Sequence, residues 1–145
     1  GIGSFSYEAR RPFHPEKFHQ FLHSTEKFGK LLRSKGYFWL ATRPQLAGQW
    51  SQAGGIASYG FGGMFWKAIP EKDWPDDEDY LDSIRKQWVE PFGDMRQELV
   101  FIGQALDQTE MTKALDECLL SEEEVLRGKS YWLTLPDPFP AWNQA

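Results

Sequence analysis

The residues best suited to bind a metal ion lie close together in the amino-terminal part of the sequence. The three histidines, His14, His19 and His23, fall within ten residues, and Glu16 lies between the first two. If this stretch is a helix, Glu16, His19 and His23 share one face, and such a face can chelate a divalent cation. A zinc site needs three or four convergent ligands, and no further ligand is in view. We therefore favour a solvated polar face, with His14 satisfying backbone donors at the helix start, and keep a metal-binding module of these four residues as the alternative.

The sequence contains no motif for nucleotide hydrolysis or for acyl transfer. No G-x-x-x-x-G-K-[ST] loop is present, and the nearest match, Gly29-Lys30, has Ser24 in place of the first glycine and Leu31 after the lysine. Such a loop needs glycines so that backbone N–H groups can converge on phosphates. No G-x-S-x-G elbow is present either. We predict no catalytic and no nucleotide-binding residue, and hence that this chain by itself is not an enzyme.

A run of cationic and aromatic residues, 35–40 (KGYFWL), is similar to the RNP1 signature of RNA-recognition domains. The similarity lapses at Phe38 and at Thr42, and the formal net charge of −5 disfavours binding to phosphates. We expect Tyr37 and Trp39 to be covered core or interface residues. We therefore disfavour nucleic acid as a partner and keep an RRM-like binder of single strands as the second alternative.

The elements that position these residues follow from hydrophobic periodicity. Residues 4–9 alternate as a half-buried strand, whereas 37–40 and 99–102 are apolar at successive positions and predict strands covered on both faces. Residues 49–53 return alongside the first of these, and 56–59 and 64–69 are two short extended pieces joined by a glycine turn at 60–63. Apolar spacing predicts helices over 16–23, from residue 80 to before Pro91, and over 111–119, with Cys118 on the apolar stripe of the last.

Capping signals and a proline-rich tail complete the list of elements. Asp107 with Glu110, and Ser121 with Glu124, resemble capping boxes that begin two helices. The tail, 135–142, cannot be regular structure, and its Phe139 and Trp142 predict that it is pinned across the body. The order of elements predicts one α+β domain, 1–145: an antiparallel sheet with helices on one face, split β-α-β (ferredoxin-like), with an extra hairpin and C-terminal helices.

Composition limits the class of protein further. The aromatic share of 16% predicts a bulky core, and the net charge of −5 argues against binding to an anionic membrane. The chain has no apolar run of membrane-spanning length, no signal peptide pattern and one cysteine, which together predict a cytoplasmic, reducing location. Because the chain begins at Gly1 without a methionine, we expect a fragment of a longer protein.

Six sequence blocks occur in a characteristic order and spacing: RRPFHP, LRSKGYFWLATRP, WSQAGG, DMRQELVFIG, CLLSEEE and LPDPFPAW. In them the chain closely resembles the C-terminal domain of CobW-type proteins, G3E-family P-loop GTPases linked to cobalamin synthesis and to zinc or cobalt delivery. The resemblance implies an upstream GTPase domain with the phosphate loop, bound GTP and Mg, and a Cys-x-Cys-Cys motif. None of these lies in this chain, and the His-rich linker of some members is missing. No cofactor is therefore expected in this fragment, apart from zinc or cobalt as the metal of the family.

We hypothesise a non-catalytic regulatory or docking domain of a metal-chaperone GTPase. Polar residues at the ends of aromatic-rich elements suggest a partner surface made of Arg11, Arg33, Lys35, Gln52, Arg96 and Glu98. Glu98 is expected to form an ion pair with Arg33 or Arg96. The partners implied are the protein's own GTPase domain, a client metalloenzyme or a second copy of the chain.

Overall fold

A computed structural model of the chain describes residues 1–142. Its five strands form one sheet in the order β1-β5-β2-β3-β4, with every neighbouring pair antiparallel. The strands are β1 Ile2–Ala9, β2 Lys30–Trp39, β3 Leu46–Ala53, β4 Ile56–Met64 and β5 Gln97–Gln104. The helices are α1 Pro15–Leu22, α2 Glu78–Lys86, α3 Gln108–Cys118, α4 Glu122–Leu126 and α5 Lys129–Trp132, with three short 3₁₀ turns at Thr25–Phe28, Trp66–Ala68 and Glu71–Asp73.

The split β-α-β arrangement predicted from the order of elements is confirmed. Strand β5 is antiparallel to both β1 and β2, so β1 and β2 run parallel to each other with β5 between them and α1 as their crossover. The chain therefore has an α+β fold in which β5, the last strand in the sequence, lies inside the sheet between β1 and β2. No helix in residues 1–142 has the length and apolar character that crossing a bilayer requires.

The main core lies between one face of the sheet and helices α1 and α3. Phe13, Phe18 and Phe38 are completely buried there, and the Phe13 and Phe18 rings stack with centroids 4.2 Å apart. Met111 and Leu115 of α3 complete the layer at the spacing expected of an amphipathic helix. The aromatic core predicted from composition is thus placed under the helices.

The predicted tail contact is also confirmed. Phe139 is buried in the main core, where its ring lies 5.8 Å from that of Phe38, and Trp142 contacts the Phe38 ring at 5.7 Å. Asp137 fixes the tail by accepting hydrogen bonds from Arg43 Nε at 3.0 Å and Nη2 at 3.3 Å. Residues without regular structure are therefore held by an ion pair and a buried ring.

A second core covers only one end of the opposite face of the sheet. Side chains alternate along β2, so Trp39 lies on the side opposite to Phe38. It is fully buried against Phe92 and Trp132, with ring centroids at 5.5 and 6.1 Å. Two residues earlier on the same face, Tyr37 is 45% exposed. The second core therefore covers this face of β2 at Trp39 but not at Tyr37.

The predicted glycine turn at 60–63 is wrong, because β4 runs through it without a break. The strand pairs with β3 from Ile56 to Met64, with one register irregularity at Ala47/Gly48. A Cβ at Gly62 would lie 3.1 Å from both the Tyr37 ring and the Ala47 carbonyl oxygen. Glycine is thus favoured here because a side chain would crowd β3 and the Tyr37 ring, and not because the chain changes direction. After β4, residues 64–69 contain a 3₁₀ turn instead of the predicted extended piece.

Candidate protein-docking surface

The sheet face opposite α1 and α3 carries a regular array of side chains, which we call the open face. The strand register places Glu8, Glu98, Tyr37 and Gln49 side by side in one row across four strands. The next row holds Ser6, Val100, Lys35, Ser51 and Ser58, and the third holds Ser4, Ile102, Arg33, Ala53 and Ile56. Most of these positions are exposed, and no helix among the described residues crosses the second and third rows, those of Lys35 and Arg33.

Val100 and Ile102 are less buried than the sequence predicted. Their strand is apolar at successive positions, which predicted cover on both faces, yet both side chains are only half-buried while Leu99 and Phe101 are about 1% exposed. A central strand with branched apolar residues on a solvent-facing side is typical of a surface that another molecule covers. The prediction of two-sided cover is therefore unmet within residues 1–142.

The charges on the open face are separated into a cationic and an acidic part. Arg33 and Lys35 are exposed and form no ion pair within the described residues. Arg96 Nη2 donates to Glu98 at 2.6 Å, which confirms the predicted ion pair and identifies its cation as Arg96. Arg96 Nη1 also donates to the Asp94 carbonyl oxygen at 2.8 Å, so this guanidinium is held in place.

A groove opens beside Tyr37, between the open face and helix α2. It encloses about 460 Å³. Tyr37, Trp66 and Tyr80 form its aromatic walls, and Arg96 and Glu98 lie at its sheet side. Helix α2 is fixed by Asp77, whose carboxylate accepts from the amides of Asp79 and Tyr80, and by the buried Ile84. Sequence analysis did not associate Trp66 and Tyr80 with this surface, because only the fold brings α2 next to β2.

Two members of the predicted partner surface lie away from the open face. Arg11 follows β1 and its Nη1 donates to the Leu120 carbonyl oxygen at 2.7 Å, which ties it to the chain after α3. Gln52 alternates with Ser51 and so belongs to the helix-facing side, where its amide bonds the Gly54 carbonyl. The other four lie on the open face, Arg33 and Lys35 in its cationic part and Arg96 with Glu98 in its acidic part.

The histidines do not assemble a metal centre. His19 and His23 do lie together on α1 and its cap, with ring centroids 4.3 Å apart, but His23 Nδ1 bonds the His19 carbonyl oxygen at 2.8 Å. Burial, followed by the nearby His23, lowers the pKa of His19. His14 precedes α1 without a side-chain capping bond, so the prediction that it satisfies backbone donors is wrong, and its Nδ1 is buried without a partner.

Neither alternative to the docking role is favoured by this geometry. Among residues 1–142, no three His, Cys, Asp or Glu side chains, Glu16 included, are grouped as they would be around a metal ion. The nucleic-acid alternative requires Tyr37 and Trp39, which share one face of β2, to be available for stacking. Trp39 is fully buried, so only Tyr37 could stack on a base.

The fold and this surface define an antiparallel α+β domain with a sheet face that residues 1–142 leave largely uncovered. A family model described as the cobalamin synthesis protein cobW C-terminal domain matches residues 2–119. The chain belongs to the CobW C-terminal domain family, as its sequence blocks suggested.

Named relatives and solved structures agree with this assignment. Zinc-regulated GTPase metalloprotein activator 1 of Dictyostelium discoideum is 43% identical over 144 residues, covering 95% of this chain and 29% of that protein. Zinc chaperone Rv0106 of Mycobacterium tuberculosis is 30% identical over 147 residues, covering 98% of this chain and 35% of that protein. The Zn(II)-bound YjiA GTPase of E. coli shares the fold, with a TM-score of 0.57 at 19% identity over 82% of this chain and 30% of that one. The chain thus spans about a third of the length of these proteins.

Proposed function

We propose that this chain is a non-catalytic docking domain of a zinc-handling GTPase, and that its open face binds the GTPase domain. Relatives named as a zinc-regulated GTPase metalloprotein activator and as a zinc chaperone support the class. Each contains about twice as much chain outside the matched segment as within it. That additional chain is the partner that the proposal names.

The open face is the observation that supports a docking role best. Half-buried Val100 and Ile102 lie next to Lys35 and Arg33, which form no ion pair within residues 1–142. Apart from the exposed Ile56 on the edge strand, the other residues of these two rows are serine and alanine. A flat apolar centre with charged residues beside it is the usual anatomy of a protein interface. The small side chains would let a partner approach the sheet closely, and the cations would set its orientation.

The zinc or cobalt, the GTP and the Mg of this family belong, in this proposal, to the GTPase domain. The buried thiol of Cys118 packs in the main core and donates to the Ala114 carbonyl oxygen at 3.3 Å, so it is a core group rather than a metal ligand. The client metalloenzyme would then contact the GTPase domain or the combined surface of both domains.

A binding measurement with matched charge reversals tests the proposal. The part of the Dictyostelium relative that lies outside the matched segment would be produced separately and captured with this chain. We expect Lys35→Glu to weaken capture by about tenfold or more. In this proposal Lys35 faces acidic groups of the partner, and a glutamate at the same position would repel them. Lys113→Glu, the same change at an exposed site on α3, should leave capture unchanged.

Equal capture by the Lys35→Glu chain and the unaltered chain would contradict the proposed surface. Self-association of this chain through the open face, detected by sedimentation and abolished by Lys35→Glu, would instead make a second copy the occupant and overturn the assignment to the GTPase domain.

A further inference from the structure

The groove between the open face and α2 has the dimensions of a ligand site. Its volume of about 460 Å³ lies within the range of about 300–1,000 Å³ that small-ligand pockets occupy. One side is the sheet at Tyr37 and the other is α2, which turns Tyr80, Ser83 and Ile84 toward the space at helical spacing. It is therefore a cleft between a strand and a helix, and not an irregularity in the surface of a loop.

Tyrosine and tryptophan rings form part of the walls of this groove, and the two tyrosines are open to solvent. Tyr37 is 45% exposed and Tyr80 50% exposed, and the Trp66 ring meets Tyr80 edge-on with centroids 5.8 Å apart. The faces of tyrosine and tryptophan rings carry partial negative charge and attract cations. Three such rings around one space favour a ligand with a flat cationic group.

The charged groups of the lining leave an excess of negative charge. Asp94 and Glu98 contribute two negative charges and Arg96 one positive charge, which gives a formal −1. Both oxygens of Asp94 are engaged by the amides of Trp66 and Lys67 at 2.9 Å, so this carboxylate serves the local fold. Glu98 uses Oε2 for Arg96, and its side chain keeps 38% of its surface exposed. Glu98 is thus the carboxylate with an oxygen left for a ligand.

A second carboxylate lies beside Glu98 without a cation of its own. Glu8 is directly opposite Glu98 in the β1–β5 register, on the same face. It forms no ion pair within residues 1–142. Like charges at directly opposed strand positions destabilise a sheet. A cationic ligand bound to Glu98 would relieve that repulsion.

From these contacts we infer that the groove binds an arginine side chain carried by a partner protein. A guanidinium can stack on aromatic faces and pair with a carboxylate at the same time, which a compact ammonium does less well. Tyr37, Trp66 and Tyr80 supply the faces, and Glu98 supplies the carboxylate. The site takes Tyr37 and Glu98 from the first row of the open face, whereas the proposed docking surface is centred on Lys35 and Arg33 in the next two rows. The peptide test below does not depend on the GTPase partner.

Titration with blocked tripeptides tests the inference without any GTPase domain. The probes are acetyl-Gly-Arg-Gly-amide and its neutral isostere, acetyl-Gly-citrulline-Gly-amide, followed by amide and indole NMR shifts of the 145-residue chain. We expect saturable shifts at Tyr37, Trp66 and Tyr80 with the arginine peptide only. Tyr80→Ala and Glu98→Gln should each weaken binding by about threefold to fivefold, and the charge-matched Glu123→Gln on α4 should not.

Two results would overturn the inference. Equal shifts with the citrulline peptide would show that charge is not recognised, and arginine-dependent shifts spread over other acidic surfaces would show non-specific attraction to an acidic protein. Because Glu98→Gln removes the partner of Arg96, its fold is checked by the dispersion of the same spectra. Tyr80→Ala provides the second test, since a half-exposed ring can be removed with little effect on folding.

Discussion

Replacement of Gln97 by methionine should be among the most destabilising single changes in this domain. Gln97 is completely buried at the start of β5. Its Oε1 accepts from the Trp39 amide at 2.7 Å, and its Nε2 donates to the carbonyl oxygens of Trp39 at 2.8 Å and Arg11 at 3.1 Å. The β2–β5 ladder ends at Tyr37 and Glu98, so this side chain takes the place of backbone pairing where the strands separate.

The size of the effect follows from the groups left without partners. Methionine fills a similar volume, so packing changes little. The Trp39 carbonyl keeps its bond from the Phe13 amide at 2.8 Å, whereas the Trp39 amide and the Arg11 carbonyl lose the side chain. A buried unpaired N–H costs about 1–3 kcal/mol, and a lost bond at a carbonyl adds about 1 kcal/mol. We expect a loss of about 3 kcal/mol, which lowers the Tm of a chain of this size by about 6–12 °C.

Urea unfolding at equilibrium measures this loss, and Gln104→Met is the matched control. Gln104 lies on the same strand but is exposed, so the same substitution there should change stability by no more than about 0.5 kcal/mol. If Gln97→Met also unfolded within about 0.5 kcal/mol of the unaltered chain, with the same dependence on urea, the amide would not be the connection between strands that its geometry indicates.

Two further predictions concern the tail and the buried thiol. Asp137→Asn removes the charge that holds Arg43 and should cost about 1–2 kcal/mol, with faster hydrogen exchange at the Phe139 amide; Asp76→Asn in the exposed loop is the control, and equal exchange in both variants would refute the anchor. Burial raises the pKa of the Cys118 thiol from 9.0 to about 12, so the native state retains this proton when the unfolded chain has lost it. The free energy of unfolding that this protonated thiol contributes is fully present below pH 9 and is lost as the pH rises toward 12. In urea unfolding, Cys118→Ala should therefore lose less stability than the unaltered chain between pH 8 and pH 10.5. Equal losses in the two chains would contradict the shift in pKa.

Local sequence signals predicted those parts of the fold that depend on local chemistry. Ser121 and Glu124 form the complete capping box that their spacing predicts. Asp107 caps α3 by accepting from the Glu110 amide at 3.1 Å. The period of the apolar residues located α3, and the β-α-β order followed from the succession of elements. For the caps and for α3 the deciding interaction joins residues less than about two helical turns apart.

The errors arose where distant residues decide. The glycines of β4 look like a turn in isolation, but a Cβ at Gly62 would crowd the Tyr37 ring on β2 and the Ala47 carbonyl oxygen on β3. Gly48 is similar, since a Cβ there would lie 2.3 Å from the Phe38 ring. The aromatic groove was missed for the same reason, because Trp66 and Tyr80 approach Tyr37 only after α2 has packed beside the sheet. Sequence periodicity contains no information on such approaches between elements.

Residues beyond the family-matched segment belong physically to the same folded unit. The match ends at Leu119, yet the Leu120 amide donates to the Pro12 carbonyl oxygen at 2.9 Å, next to the Arg11 contact with Leu120. Trp132, 1% exposed, fills the second core and fixes its indole by donating to the Glu124 carbonyl oxygen at 3.0 Å. Without it, Trp39 on the central strand would lose a covering ring. We therefore infer that α4, α5 and the tail fold cooperatively with the sheet, and that the second core, by stopping short of Tyr37, sets the boundary at which the open face begins.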